Sequence, residues 1–171
     1  MCARPEPDTR SSVRPKSALR TRDALDQLRL DHELIRKLLR EYDGVRLVEG
    51  CGAERKAEIV DRLCDALSLN ALIEEEIFYP AVQAALKDKL LVPEATVEHT
   101  SVKELIAQLE DVEPDGEMYD AKVKVLSEYV KHHVKEEQNE MFPKVKSSSL
   151  DTVELGERMA ARKDDLMALA V

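Results

Sequence analysis

Two short stretches of this chain each set a carboxylate four residues after a potential metal donor, Asn70 with Glu74 and His133 with Glu137. Residues at i and i+4 lie one above the other on a helix face, so each pair aims at one spot. The stretches also end alike, in Phe78-Tyr79-Pro80 and Met141-Phe142-Pro143. A single shift lays Asn70-Ala71-Leu72-Ile73-Glu74-Glu75 over His133-Val134-Lys135-Glu136-Glu137-Gln138, which is an internal repeat. Two more histidines fall in apolar helical stripes, His32 within Asp31-His32-Glu33 and His99 within Glu98-His99. The order along the chain is therefore His, Asn-x-x-x-Glu, His, His-x-x-x-Glu: two similar halves around one centre.

A carboxylate in the apolar stripe of a buried helix costs on the order of several kcal/mol unless it is paired or ligates a cation. Glu74 and Glu137 are both so placed, and neither has a Lys or Arg in its own stripe. Bound metal is the economical explanation. Imidazole and carboxylate without thiolate suit iron or manganese and tolerate zinc. Two carboxylates on facing helices could bridge two ions, with the histidines as terminal ligands and open positions left for dioxygen, nitric oxide or solvent. Asn70 is the odd member, because its neutral amide oxygen is a poor ligand for iron.

The elements that must position these residues follow from the apolar spacing. Leu25, Leu28, Ile35, Leu38, Leu39 and Tyr42 recur at three- and four-residue steps with His32 in the same stripe, predicting a helix from Ser17 to Leu47. Glu49-Gly50-Cys51-Gly52 breaks it. Ile59, Leu63, Ala66, Leu67, Asn70, Glu74, Ile77 and Phe78 mark the inner face of a second helix, bent or ended near Pro80, with Ala81 to Leu90 prolonging it. Pro93 opens a third helix with the stripe Ala95, His99, Val102, Ile106 and Leu109. After the turn Glu113-Pro114-Asp115-Gly116 a fourth carries Met118, Val123, Leu126, Val130, His133, Val134, Glu137 and Met141. Asp151 with Glu154 reads as a capping box that starts a short fifth helix through Ala168, appended to the rest. Four long helices with short connections imply an all-α, up-down-up-down bundle.

Composition agrees and excludes alternatives. Hydrophobic residues at 43% beside charged residues at 36%, with five glycines, describe amphipathic helices better than a sheet. A net charge of −9 argues against nucleic acid, whose binding draws on displaced counterions around Lys and Arg. Three widely spaced cysteines, Cys2, Cys51 and Cys64, match no Cys-x-x-Cys motif and fit reduced thiols in a cytoplasmic protein. The start of the chain sets Arg4, Arg10, Arg14, Lys16, Arg20 and Arg22 against Glu6 and Asp8, with three prolines and no run long enough for a signal peptide or membrane span. The expected organisation is a disordered basic tail over 1–17, a bundle over 18–146, and a linker with the last helix over 147–171. No Ser-His-Asp grouping, phosphate-binding glycine loop or Glu-x-x-His pair is present, which sets aside hydrolases, nucleotide enzymes and ferritin-type oxidases.

Other residues near the site are expected to be bystanders. His132 lies about a hundred degrees from His133 on an ideal helix and should face solvent. Tyr129, one turn before His133, reads as part of the bundle wall, with a hydroxyl turned to the site as the alternative. Tyr79 and Phe142 should plug the bundle end, Glu75 and Glu76 should be surface charge, and Cys64 a small residue off the ligand face.

Taken together, His32 in Asp31-His32-Glu33-Leu34-Ile35, Glu74 in Ile73-Glu74-Glu75-Glu76-Ile77-Phe78-Tyr79-Pro80, His99 in Glu98-His99, and His133 with Glu137 in His133-Val134-Lys135-Glu136-Glu137-Gln138 resemble the hemerythrin-like family. The similarity runs from about Leu25 to Val145. The resemblance implies the HHE cation-binding four-helix bundle around a non-haem di-iron centre. It further implies Glu74 and Glu137 as bridging carboxylates, His32, His99 and His133 as terminal ligands, and a role in dioxygen binding, nitric oxide or redox sensing, or iron handling. Asn70 departs from the pattern where the family has histidine. The expectation is thus an asymmetric site: two irons from the family, one held more weakly beside His32, with a single-metal centre as the alternative. A binding protein for dioxygen or nitric oxide is the leading reading. A di-iron enzyme acting on peroxide or nitric oxide, and a metal-poor bundle used for protein interaction, are the alternatives.

Overall fold

The computed structural model describes residues 23–48, 50 and 52–170. The basic tail, the start of the first predicted helix, and Cys2 and Cys51 lie outside the described residues. Helix α1 spans Ala24–Arg46 and begins one residue after Asp23, whose extended backbone and side chain, accepting from the Asp26 N–H, cap it. Asp23 thereby satisfies a free backbone donor at the first turn of α1. Gly50, at φ +82°, takes the left-handed turn that leads to α2 (Ala53–Ile73).

Helix α2 does not stop at the proline. It passes through one wide turn, Glu74–Phe78, in which the Tyr79 N–H donates five residues back to the Glu74 carbonyl, and resumes as α3 (Tyr79–Ala85). Pro80 has no N–H for the ordinary ladder, and the widened turn accommodates its ring. Leu86 is extended, so the helix ends there rather than running on to Leu90. Helix α4 (Leu91–Glu110) returns, and α5 (Glu117–Glu136) follows. The repeat then recurs in three dimensions: a second wide turn, Glu137–Met141, closed by the Phe142 N–H on the Glu137 carbonyl, leads into α6 (Phe142–Lys146) ahead of α7 (Thr152–Leu169). Both wide turns begin at a site glutamate and precede a proline.

Helix α1 packs on α2 and α5, and α4 on α5 and α2, closing a ring of four antiparallel rods, the expected all-α bundle. Two apolar clusters fill it. One gathers Ile35, Leu38, Tyr42, Ile59, Leu63, Val123 and Leu126 toward the α1–α2 turn. The other gathers Leu25, Leu28, Phe78, Tyr79, Met141, Phe142 and Val145 around the wide turns. The inner face of α5 differs in one place from the expected stripe: Met118 is 62% exposed and Tyr119 is buried in its stead. Helix α7, 18 residues long, is more than an appendage. Asp151 caps it, Leu155 and Met159 enter the second cluster, and Arg162 reaches Glu76 at 2.7 Å while Lys163 pairs with Asp31. It clasps α1 and the first wide turn. Among the described residues no helix is long and apolar enough to cross a membrane.

Candidate metal centre

Between the two apolar clusters lies a single buried polar layer of His32, Asn70, Glu74, His99, His133 and Glu137. Hydrocarbon above and below it lowers the local dielectric, so every charge in the layer must be answered inside it. The five side chains singled out in the sequence meet there. They form two groups that share one member: Glu74, His99 and His133 in one, His32, Glu74 and Glu137 in the other, with donor atoms within 4.8 Å of one another in each.

Glu74 joins the groups by dividing its oxygens. Oε2 stands 3.1 Å from His99 Nε2 and 4.0 Å from His133 Nε2, whereas Oε1 faces His32 Nε2 at 3.6 Å. Glu137 is less even-handed: Oε2 lies 3.1 Å from His32 Nε2 and 3.7 Å from His133 Nε2, and Oε1 accepts a hydrogen bond from the Tyr79 hydroxyl at 2.9 Å. The His99 and His133 Nε2 atoms are 3.0 Å apart. Two nitrogens each about 2.1 Å from a shared ion, at a right angle, would stand about 3 Å apart.

Four buried polar atoms of the layer have no hydrogen-bond partner: His32 Nε2, Asn70 Oδ1, Glu74 Oε1 and Glu137 Oε2. His32 Nε2 and Glu137 Oε2 are close enough to attract as ions but are not aligned for a hydrogen bond. Orphaned lone pairs in a dry layer are costly, and a cation shared between them removes that cost. The donor set and its geometry fit a metal.

Behind each imidazole a second side chain fixes the ring. His99 Nδ1 donates to Glu75 Oε1 at 2.9 Å, His133 Nδ1 to Glu98 Oε2 at 2.6 Å, and Gln138 Nε2 approaches His32 Nδ1 at 3.0 Å. Each contact turns Nε2 toward the centre, and His99 and His133, which donate Nδ1–H to a carboxylate, show the arrangement metal-binding histidines use. Glu75 is therefore not plain surface charge; Lys103, at 2.7 Å, holds it in place, while Glu76 is the expected surface carboxylate on Arg162. His132 faces outward as expected and touches Glu98 at 3.3 Å. Tyr129, 48% exposed, belongs to the wall.

Tyr79 is the residue the sequence reading missed. Its hydroxyl sits at the middle of the layer, within 3.4 Å of Glu74, Glu137, His99 and His133. On an α-helix a residue five positions after Glu74 points about 140° away. The wide turn bonds position i to i+5 and brings Tyr79 back beneath Glu74. Its repeat partner Phe142 has no hydroxyl and stacks on His32, ring centroids 6.1 Å apart and planes 8° from parallel. Pro after an aromatic on a helix carrying a buried glutamate was the available signal, and it marked the turn without revealing its width.

The charges interlock. Burial favours a neutral His32, but Glu137 and Glu74 outweigh it and raise its pKa to about 9. His133 is pulled down by burial and up by Glu137 and Glu98, to about 8. Burial opposes charge on Glu74, yet His32 and His99 hold its carboxyl well below the usual range. Burial, with Glu137 and Glu74, keeps Tyr79 protonated and thus a donor.

The hemerythrin HHE cation-binding domain model matches residues 23–145, the span that contains every residue of the layer. The chain belongs to the hemerythrin HHE cation-binding family. A crystal structure of an HHE cation-binding domain-containing protein, the Rv2633c homologue from Mycobacterium kansasii, superposes with a TM-score of 0.71 at 24% identity, over 84% of this chain and 86% of that one. That likeness shows the shared fold. No curated protein matches the chain in sequence. For this HHE domain the buried His/Glu cluster points to metal binding of the hemerythrin type.

Proposed function

We propose that the protein binds non-haem iron through His32, Glu74, His99, His133 and Glu137, as a two-metal centre with unequal halves, and takes up dioxygen or nitric oxide for sensing, storage or scavenging in the cytoplasm. The observation that supports it most is Glu74, with one oxygen toward His99 and His133 and the other toward His32. His99, His133 and Glu74 would hold one ion; His32, Glu74 and Glu137 would hold the other. Bound iron would supply redox-active, open coordination positions for a diatomic ligand.

The chain's own residues do the rest. Glu75, Glu98 and Gln138 orient the three imidazoles. Tyr79 keeps a proton on its hydroxyl and donates it to Glu137 Oε1, so that Glu137 has only Oε2 free for the centre. Phe142 and Phe78, packed edge to face at 6.0 Å, close the layer to water on one side. Asn70, buried with its Oδ1 unpartnered, stands in the repeat where the second half has His133, and the His32 group has one imidazole rather than two, which supports the weaker metal position on the His32 side.

Iron loading under exclusion of air, followed by metal analysis and titration with nitric oxide, tests the reading. One to two irons per chain and a nitric oxide adduct of matching stoichiometry are expected, and a protein that retains no iron contradicts it. Peroxide then separates binder from enzyme: a single stoichiometric oxidation fits a binder, and sustained turnover establishes the enzyme instead.

A further inference from the structure

Beside the polar layer lies a cavity of about 30 Å³, walled by the hydrocarbon of Leu67, Val102, Ile106 and Val130, with Asn70 and the imidazoles of His32, His99 and His133 also on its surface. Asn70 is 6% exposed and its Oδ1 has no hydrogen-bond partner. A buried, unpaired amide oxygen beside an apolar space loses free energy unless something small meets it. The space has room for that: by the same measure one water needs about 10–15 Å³, so the cavity holds about two water-sized atoms.

We propose that Asn70 and this cavity form a pocket for one small protic oxygen ligand, water at rest and hydrogen peroxide in competition with it. The inference rests on the metal reading for its purpose, since the pocket shares three imidazoles with the centre, but not for its geometry. An amide offers an acceptor oxygen and, on the same plane, a donor NH2 group. Dioxygen and nitric oxide have no proton to give to Oδ1, whereas hydrogen peroxide, two oxygens long, can both donate to and accept from the same amide. Apart from Ser68 and Lys103 the remaining wall is aliphatic, and the small volume excludes larger molecules. Asn70 is thereby a ligand-positioning residue, and the shortening of the side chain at this point of the repeat opens the space it serves.

Crystals of the wild type and of Asn70→Leu, metal-free and zinc-loaded, decide the matter, because zinc does not exchange electrons with peroxide. In the wild type an ordered water is expected about 3 Å from the Asn70 amide, replaced by two-atom density after a hydrogen peroxide soak. Asn70→Leu, close in shape but without polar atoms, is expected to lose both while keeping its zinc; Asn70→Ala serves if the leucine variant does not fold. A dry wild-type cavity, a water that peroxide does not displace, the same density in Asn70→Leu, or loss of zinc from that variant, which would make the amide a metal ligand, each overturns the proposal. Wild-type crystals without zinc at the histidines but with the water and peroxide in place would sink the metal reading alone.

Discussion

The two halves of the bundle share one scaffold, and two of the side chains in which they differ set how each half meets the polar layer. In each, a helix brings a glutamate into the polar layer, opens into a wide turn at that glutamate, and continues through an aromatic residue and a proline. Where the second half has His133, the first has Asn70; where the first half has Tyr79, the second has Phe142. The consequence crosses over. Tyr79 delivers its hydroxyl to both glutamates and to His99 and His133, whereas Phe142 lays a bare ring on His32. A duplicated backbone has thus been given one polar, densely bonded half and one sparse half beside a small cavity.

Glu74 is the only carboxylate common to both groups, so its removal should do most harm. Glu74→Gln is expected to cut retained iron at least tenfold, whereas Glu137→Gln, at a carboxylate with one oxygen already engaged by Tyr79, should cost less; metal analysis after desalting reads both. Next comes the exchange of the repeat's differing side chains. Asn70→His is expected to raise occupancy of the weaker position, seen as a stoichiometry moving toward two irons per chain. Tyr79→Phe should strip Glu137 Oε1 of its donor and destabilise the fold by about 1–3 kcal/mol, while Phe142→Ala removes a fully buried ring and should cost about 3–5 kcal/mol; denaturant melts measure both.

Smaller effects are expected one layer out. Glu98→Gln leaves a neutral acceptor behind His133 and should weaken metal affinity by about tenfold, read by competition with a chelator. A pH series on metal-free protein probes the sparse half. The folded pKa of His32, near 9, lies above the ordinary 6.5, so the stability it contributes is complete below about pH 6.5 and disappears as the pH rises through about 9. His133, raised to about 8, adds to the same decline. The melting temperature of metal-free wild type should therefore fall across that window more steeply than that of His32→Gln, and parallel curves would contradict the raised value.

What could be read from the sequence, and what could not, divides along the same physical line. The bundle and the five donors follow from the 3.6-residue period, because an ordinary helix fixes which residues share a face. His32, Glu74, His99, His133 and Glu137 all lie where that period puts them. Tyr79 broke the rule because the wide turn changes the period for one turn. Glu75, Glu98 and Gln138 were hidden for another reason: their partners are 24, 35 and 106 residues away, so no local spacing announces them. Helix α7 was legible as a helix from its cap at Asp151, yet its docking through Leu155, Met159, Arg162 and Lys163 depends on the far end of the chain meeting α1 and the first wide turn.

On the proposed reading Glu74 is shared by two cations, one held with His99 and His133 and the other with His32 and Glu137. Anomalous diffraction at the iron edge from crystals of iron-loaded protein tests this most directly. A peak bounded by Glu74, His99 and His133 is expected, with a second, weaker one beside His32 and Glu137; iron-loaded crystals whose only anomalous density lies elsewhere, or that show none, would contradict it.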